Sequence, residues 1–136
     1  MSKQKIAYLL VSGSQTIKDK DFVFSCLDKI TSKYEIQYLI EGEAKGVDII
    51  SRLYAKEHNI EVIPMKAKWN KYGRGAGIIR NSEMVNLCSK GLAIWDGTSR
   101  GTKDTIEKLR KAGKLLRVFY YSDKSIKRQK GLESYA

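Results

Sequence analysis

Short runs of apolar residues alternate along this chain with segments whose apolar positions recur every three or four residues. Ile6 to Val11 is one such run. After Ser12-Gly13-Ser14, the positions Phe22, Val23, Cys26, Leu27 and Ile30 fall on one helical face. The pattern predicts a strand, a turn and a helix. Ile36 to Ile40 starts the same sequence again, ending in Glu41-Gly42, with Val47, Ile50, Leu53 and Tyr54 then at helical spacing and Asp48 in the first turn. Glu61 to Met65 predicts a third strand. A longer connection, Lys66 to Gly77, carries Trp69, Tyr72 and three glycines before a helix marked by Met84, Val85 and Cys88. Gly91 to Trp95 predicts a fourth strand, the helix through Ile106 and Leu109 stops near Gly113, and Leu115 to Tyr120 closes the series as a fifth.

Strands separated by helical segments pair in parallel through crossovers, with helices covering both faces of the sheet. The expected fold is α/β: a single Rossmann-like doubly wound domain of about five parallel strands. It is expected to occupy residues 1–123, with 124–136 as a basic C-terminal tail. Pro64, the only proline, falls near the end of the third strand, where a lost backbone donor is tolerated.

Composition narrows the partners. The chain has 26 Lys and Arg against 15 Asp and Glu, a formal charge of +11, which favours an anionic partner without choosing among nucleic acid, nucleotide and phosphate. The basic residues are spread along the chain, with one local cluster at Lys124, Lys127, Arg128 and Lys130 that lacks an apolar face and reads as a solvated end. The apolar runs are strand-sized and the N-terminus has no signal-peptide pattern, so a cytoplasmic protein with no membrane partner is expected. Cys26, Cys88 and the lone His58 form no metal-spaced cluster; both cysteines read as reduced structural thiols, and neither a metal nor a cofactor is expected.

The chemistry concentrates in the turns. In an open parallel sheet, ligands bind outside the carboxyl ends of the strands. At that edge the chain places Ser12-Gly13-Ser14-Gln15-Thr16, Gly42-Glu43-Ala44-Lys45-Gly46, Gly73-Arg74-Gly75-Ala76-Gly77 and Asp96-Gly97-Thr98-Ser99-Arg100-Gly101-Thr102. Glycine lets backbone amides approach a ligand, Ser and Thr add hydroxyl donors, and a following helix offers free N-terminal amides. That combination suits phosphate, although each turn taken singly also reads as an ordinary strand-to-helix connection. Neither a GxGxxG fingerprint nor a Walker lysine motif is present, which argues against a common dinucleotide dehydrogenase or a P-loop NTPase.

Five blocks together resemble the SLOG superfamily, the Rossmann-like group that includes DprA and the LOG phosphoribohydrolases, and most of all its YspA-like branch. They are Val11-Ser12-Gly13-Ser14, Gly42-Glu43-Ala44-Lys45-Gly46-Val47-Asp48, Trp69-Asn70-Lys71-Tyr72-Gly73, Ile79-Arg80-Asn81-Ser82-Glu83-Met84 and Trp95 to Thr102. The resemblance implies a pocket for a nucleotide or nucleotide-derived small molecule, often in a homodimer, serving as sensor, carrier or phage sponge. By position, Gly101 and Thr102 look like the phosphate-cradling pair of LOG-type proteins, and Arg80 with Met84 resembles their helix start. The site residues expected on these grounds are Ser12, Gly13, Ser14, Gly42, Lys45, Asp48, Trp69, Tyr72, Arg80, Asn81, Asp96, Gly97, Ser99, Gly101 and Thr102.

The chain also departs from those relatives. LOG hydrolases carry a catalytic glutamate where this chain has Thr105, Gln15 stands where YspA-like chains commonly have arginine, and Glu43 where they commonly have glycine. No catalytic residue is assigned. N-glycosidic hydrolysis of a nucleotide stays open as an alternative, with Asp104, Glu107, Glu43 or Asp48 as substitute acid, and a ribose or base hydroxyl is one use for Glu43. Single-stranded nucleic acid is the other alternative partner, on the strength of Lys66, Lys68, Lys71 and Arg74 around Trp69 and Tyr72. Trp95, ending a strand, reads as packing.

Overall fold

The structure, a computed structural model, describes residues 3–122. The expected basic tail and its cluster at Lys124, Lys127, Arg128 and Lys130 lie outside them. Five strands, β1 (Gln4–Gly13), β2 (Tyr34–Glu41), β3 (Glu61–Pro64), β4 (Lys90–Trp95) and β5 (Leu115–Tyr120), form one sheet in the order β3-β2-β1-β4-β5. Every pairing is parallel, from Gln4 opposite Tyr34 through Gly13 opposite Ile94. The α/β, Rossmann-like doubly wound fold is therefore as the alternating pattern predicts. Pro64 ends β3, an edge strand, where its missing donor faces no further partner.

Side chains on a strand alternate between faces, and the helices divide accordingly. Leu9, Val11, Leu39, Leu92 and Ile94 pack against α1 (Lys20–Thr31) through Val23, Leu27 and Ile30, and against α2 (Val47–Glu57) through Tyr54 and Ala55. Leu10 and Ile40 face the other way, against Met84 and Val85 of α4 (Ala76–Leu87), Cys88 just beyond it, and Leu109 of α5 (Arg100–Lys111). Each fully buried Leu or Ile contributes roughly 2 kcal/mol, so the two faces together fix the layers. Cys26 and Cys88 are buried free thiols, and burial pushes Cys26 up to about 11.

Two local expectations need correction. Leu53 is exposed, and the buried face of α2 is instead Val47, Asp48, Ser51, Tyr54 and Ala55. Polar Asp48 and Ser51 disguise that face, because apolar periodicity counts only apolar residues. The stretch Lys66 to Gly77 is also not a plain connection. It holds a one-turn helix, α3 (Trp69–Tyr72), and a tight 3-10 turn (Gly73–Gly75) before α4 begins at Ala76.

Candidate functional site

The crossover from β1 runs outward to β2 and β3, and the chain then returns to add β4 on the other side of β1. The connections therefore diverge between the ends of β1 and β4, and a cleft opens there, as the topology requires. Its volume is about 290 Å³. Ser12, Gly13, Gln15, Thr16, Ala44, Asp48, Arg80, Asn81, Met84, Ser99, Gly101 and Thr102 line it. The turns after β1, β2 and β4 and the face of α4 all contribute.

The turn after β1 is held by its own backbone. Ser14 donates its amide to the Ile94 carbonyl (3.1 Å), accepts from the Ile17 and Val47 amides on its carbonyl, and receives the Asp96 amide on its hydroxyl (3.0 Å). Ser14 is thus a clip behind the cleft rather than part of its lining. Gly13 lets α2 come close: a Cβ there would lie 2.4 Å from Val47. Gly46, with φ +77°, begins α2 directly against the Ser14 and Gln15 carbonyls, where only glycine fits.

Beyond β4, Asp96 organises the loop that leads into α5. It accepts hydrogen bonds from the Thr16 hydroxyl (2.7 Å), the Thr98 amide and hydroxyl, and the Ser99 amide and hydroxyl. Burial alone would raise its carboxyl, but these donors, led by the Ser99 amide, hold it well below the usual carboxylate range. Both of its oxygens are spent on the loop. Trp95 donates its indole N–H to the Ser99 carbonyl (3.0 Å) and packs on Tyr120, bracing the same loop. Gly97 is an exposed turn residue at φ +86°. Among the described residues the amides of Arg100, Gly101 and Thr102 have no acceptor, and Lys103 is the first to bond back, to Ser99 (3.1 Å). Gly101 leaves the space beside it open, since a Cβ there would touch nothing.

The opposite wall comes from α2 and α4. Arg80 donates from Nε to Asn81 (3.0 Å) and from Nη1 to the Gly42 carbonyl (2.6 Å), which leaves Nη2 without a partner among the described residues. Buried Asn81 donates in turn to the Gly101 carbonyl (3.3 Å) and to Asp104 (3.1 Å), fastening α4 to the start of α5. Asp48, 5 % exposed, accepts on Oδ2 from the amides of Gly42 and Ala44, both at 3.2 Å. Its Oδ1 is buried with no hydrogen-bond partner. Burial pushes this carboxyl up to about 7; the Ala44 amide opposes that, nearby Glu41 adds to it, and Arg80 and the Gly42 amide oppose it further.

The expected site residues thus separate into groups. Ser12, Gly13, Asp48, Arg80, Asn81, Ser99, Gly101 and Thr102 line the cleft, while Ser14, Gly42 and Asp96 stand behind its walls. Lys45 and Gly97 are exposed and do not reach the lining. Trp69 and Tyr72 do not reach it either. Trp69, 55 % exposed, borders a separate, broader depression of about 810 Å³ with Pro64, Met65, Lys66, Ala67, Lys68, Asn70, Lys71 and Glu83. Of the four carboxylates considered as substitute acids, Asp48 alone lines the cleft. Asp104 is bonded to Asn81 and Lys108, Glu107 is exposed on α5, and Glu43 is ion-paired with Arg52 at 2.9 Å. Glu43 pairs through Oε1 alone and is not among the lining residues, so the cleft geometry lends no support to the hydroxyl use suggested for it.

Gln15, Thr16, Ala44 and Met84 also line the cleft, though none is among the expected site residues, and the pairing of fully buried Glu41 with Arg52 was not foreseen. Thr16 was legible, lying in a hydroxyl-rich turn. Nothing in the spacing of Glu41 and Arg52, a strand end and the far side of a helix turn, signals their contact. No group of three or more His, Cys, Asp or Glu able to hold a metal occurs among the described residues, and none of their helices is long and apolar enough to cross a membrane.

Comparison with known proteins bears on this geometry. A family model described as "YspA, cpYpsA-related SLOG family" matches residues 8–72. The Gene 61 protein of Mycobacterium phage D29 is 31 % identical over 126 residues, covering 85 % of this chain and 97 % of that protein. Among solved structures, DNA processing protein A (DprA) of Streptococcus pneumoniae superimposes with a TM-score of 0.62 at 19 % identity, over 82 % of this chain and 50 % of that one. DprA of Helicobacter pylori, described for its mode of binding single-stranded DNA, gives 0.63 at 14 % identity, over 86 % and 67 %. The chain spans about half the length of the S. pneumoniae protein, and at these identities the likeness speaks for the fold.

Proposed function

From the premise that this chain belongs to the YspA, cpYpsA-related SLOG family, we propose that it binds a nucleotide or nucleotide-derived small molecule in the cleft between the ends of β1 and β4. The observation that carries the reading is the pairing of two unspent cationic or donor groups across one small cleft: the Nη2 of Arg80 on one wall, and the free amides at the start of α5 on the other. A phosphate between them accepts hydrogen bonds from both, and the positive end of the α5 dipole adds to the attraction. The chain acts as sensor, carrier or sponge of that ligand. Calorimetry with ribonucleoside monophosphates, ADP-ribose and cyclic nucleotides tests this: at least one binds stoichiometrically, and Arg80→Ala weakens it. Absence of any binder, with Arg80→Ala indistinguishable from the parent, rejects it.

A second reading rests on a different surface. Trp69 stands exposed among Lys66, Lys68 and Lys71 on the broad depression, and a stacking aromatic framed by cations is what single-stranded nucleic acid requires. Binding there falls steeply with salt and weakens on charge reversal at Lys68 and Lys71. No shift of an oligonucleotide at low salt removes it.

A further inference from the structure

The cleft has a polar group that a phosphate does not explain. Asp48 lines it, yet a carboxylate repels an anion. Gly42 lies between the two chemistries: a Cβ on it would fall 2.6 Å from Arg80 Nη1 and 3.0 Å from Asp48 Oδ2, so only glycine lets the guanidinium and the carboxyl both close over that backbone. Arg80 nevertheless bonds the Gly42 carbonyl and not Asp48, and Asp48 Oδ1 is left with no partner, shielded from bulk water. An unpaired buried carboxylate oxygen is costly, and such groups in native proteins call for an explanation. The amides of Gly42 and Ala44 occupy Oδ2, both at 3.2 Å, and Asp48 belongs to the cleft lining, so a donor seated in the cleft can supply the bond that its other oxygen lacks.

We propose that Asp48 Oδ1 accepts a hydrogen bond from a sugar hydroxyl of the ligand, so that the cleft selects ribonucleotides over their deoxy counterparts. The proposal rests on the nucleotide reading given above and adds its sugar specificity. The juxtaposition explains both walls at once: the phosphate of a ribonucleotide goes to Arg80 and the α5 amides, and its ribose presents a neutral donor to the acidic patch beside them. Glu41 and Glu43, the other carboxylates near this turn, pair with Arg52 and do not line the cleft, which leaves Asp48 as the acceptor there. Glu41 and Arg80 are the charged groups facing Asp48, with opposite effects on its ionisation. Burial that raises the carboxyl to about 7 means the acceptor form prevails above neutrality, so the binding test belongs at pH 8. A site built to bond a hydroxyl rejects the analogue that lacks it, because its own polar group is then left unpaired.

The test is calorimetry on the full chain at pH 8 with AMP, GMP, CMP, UMP and ADP-ribose, alongside the 2′-deoxy and 3′-deoxy forms of whichever monophosphate binds, or of ADP-ribose if it alone binds. The parent protein is expected to lose about tenfold to a hundredfold in affinity when one of the two hydroxyls is absent. Asp48→Asn keeps an acceptor for the Gly42 and Ala44 amides but turns the free position into a donor; it should bind ribo and deoxy forms within about threefold of each other, near the parent's deoxy affinity. Equal binding of ribo and both deoxy forms by the parent overturns the sugar assignment while the nucleotide reading stands. No binding by any probe to folded protein overturns both. Should Asp48→Asn fail to fold, the ribo-to-deoxy ratio of the parent decides alone.

Discussion

The two recesses flanking α4 are built on opposite plans. The cleft at the ends of β1 and β4 is small, draws its walls from distant segments, and locks them together with partly buried polar bonds through Ser14, Asn81 and Asp96. The depression beside Trp69 is nearly three times larger, and its lining is one continuous stretch, Pro64 to Lys71, plus Glu83. The first holds few groups in fixed positions; the second offers a broad cationic face with an exposed ring. Preorganised groups favour a small ligand that pays little ordering entropy, whereas a wide, charged surface favours a polymer whose contacts are many and individually weak.

The sharpest way to break this contrast is to remove the one guanidinium with an unspent amino group in the cleft. Arg80→Ala should weaken the best nucleotide ligand by a hundredfold or more, roughly 3 kcal/mol for a lost charge-assisted pair, and leave oligonucleotide binding at the Trp69 face unchanged. Parallel titrations of both ligands check it; equal losses would mean a single surface.

Asp96 tests whether the cleft is held by its loop rather than by its ligand. Asp96→Ala strips the acceptor from the donors of Thr16, Thr98 and Ser99, and should cost about 2–3 kcal/mol in urea unfolding, with ligand affinity falling alongside. Because its folded carboxyl lies below the ordinary value, its stabilisation is present above about pH 4 and is lost as acid titrates the folded group, so the parent and the variant converge in strong acid. Substitutions at Lys68 leave stability within about 0.5 kcal/mol, as expected for an exposed surface.

Asp48 has the opposite sign. Its folded carboxyl is raised to about 7, so the folded state holds a proton that the unfolded chain has released, and stability falls as pH rises from about 4 to 7. Asp48→Asn abolishes that slope; relative to the parent it should gain about 2 kcal/mol more at pH 8 than at pH 5, read from denaturant midpoints. A variant that loses ligand selectivity while gaining stability marks Asp48 as held for function. The smallest effect belongs to the open face: Lys68→Glu with Lys71→Glu should lower oligonucleotide affinity about tenfold, flatten its salt dependence, and leave nucleotide binding in the cleft within about threefold.

Much of this was legible in the residues. Apolar runs such as Ile6 to Val11 and Gly91 to Trp95 announce strands, and the glycine- and hydroxyl-rich turns after them announce the ligand edge. Gly101 and Thr102 reach that edge because the helix after β4 starts there, whereas Arg80, placed at a helix start by the resemblance, lies one turn inside α4, which begins at Ala76, and reaches the cleft from the helix face. Trp69 and Tyr72 were misread as candidates for the same cleft, because glycine-flanked aromatics signal exposure but carry no address. The partner of Glu43 was not legible, because a charged residue in a turn does not reveal it; Arg52 is on the helix that follows.

By itself the sequence determined the alternation of strands and helices, and with it the sheet, its ligand edge and the absence of dinucleotide or P-loop fingerprints, since these follow from local periodicity and turn chemistry. Tertiary structure decided which polar groups are left unspent. Asp96 and Asp48 look alike in sequence, each an acid near a helix start, yet one is saturated by Thr16, Thr98 and Ser99 while the other keeps a buried oxygen without a partner. Thr98 and Ser99 are sequence neighbours of Asp96, but Thr16 reaches it from the turn after β1, and the enclosure of Asp48 Oδ1 away from water and donors comes from the packing of separate segments, which no local pattern encodes.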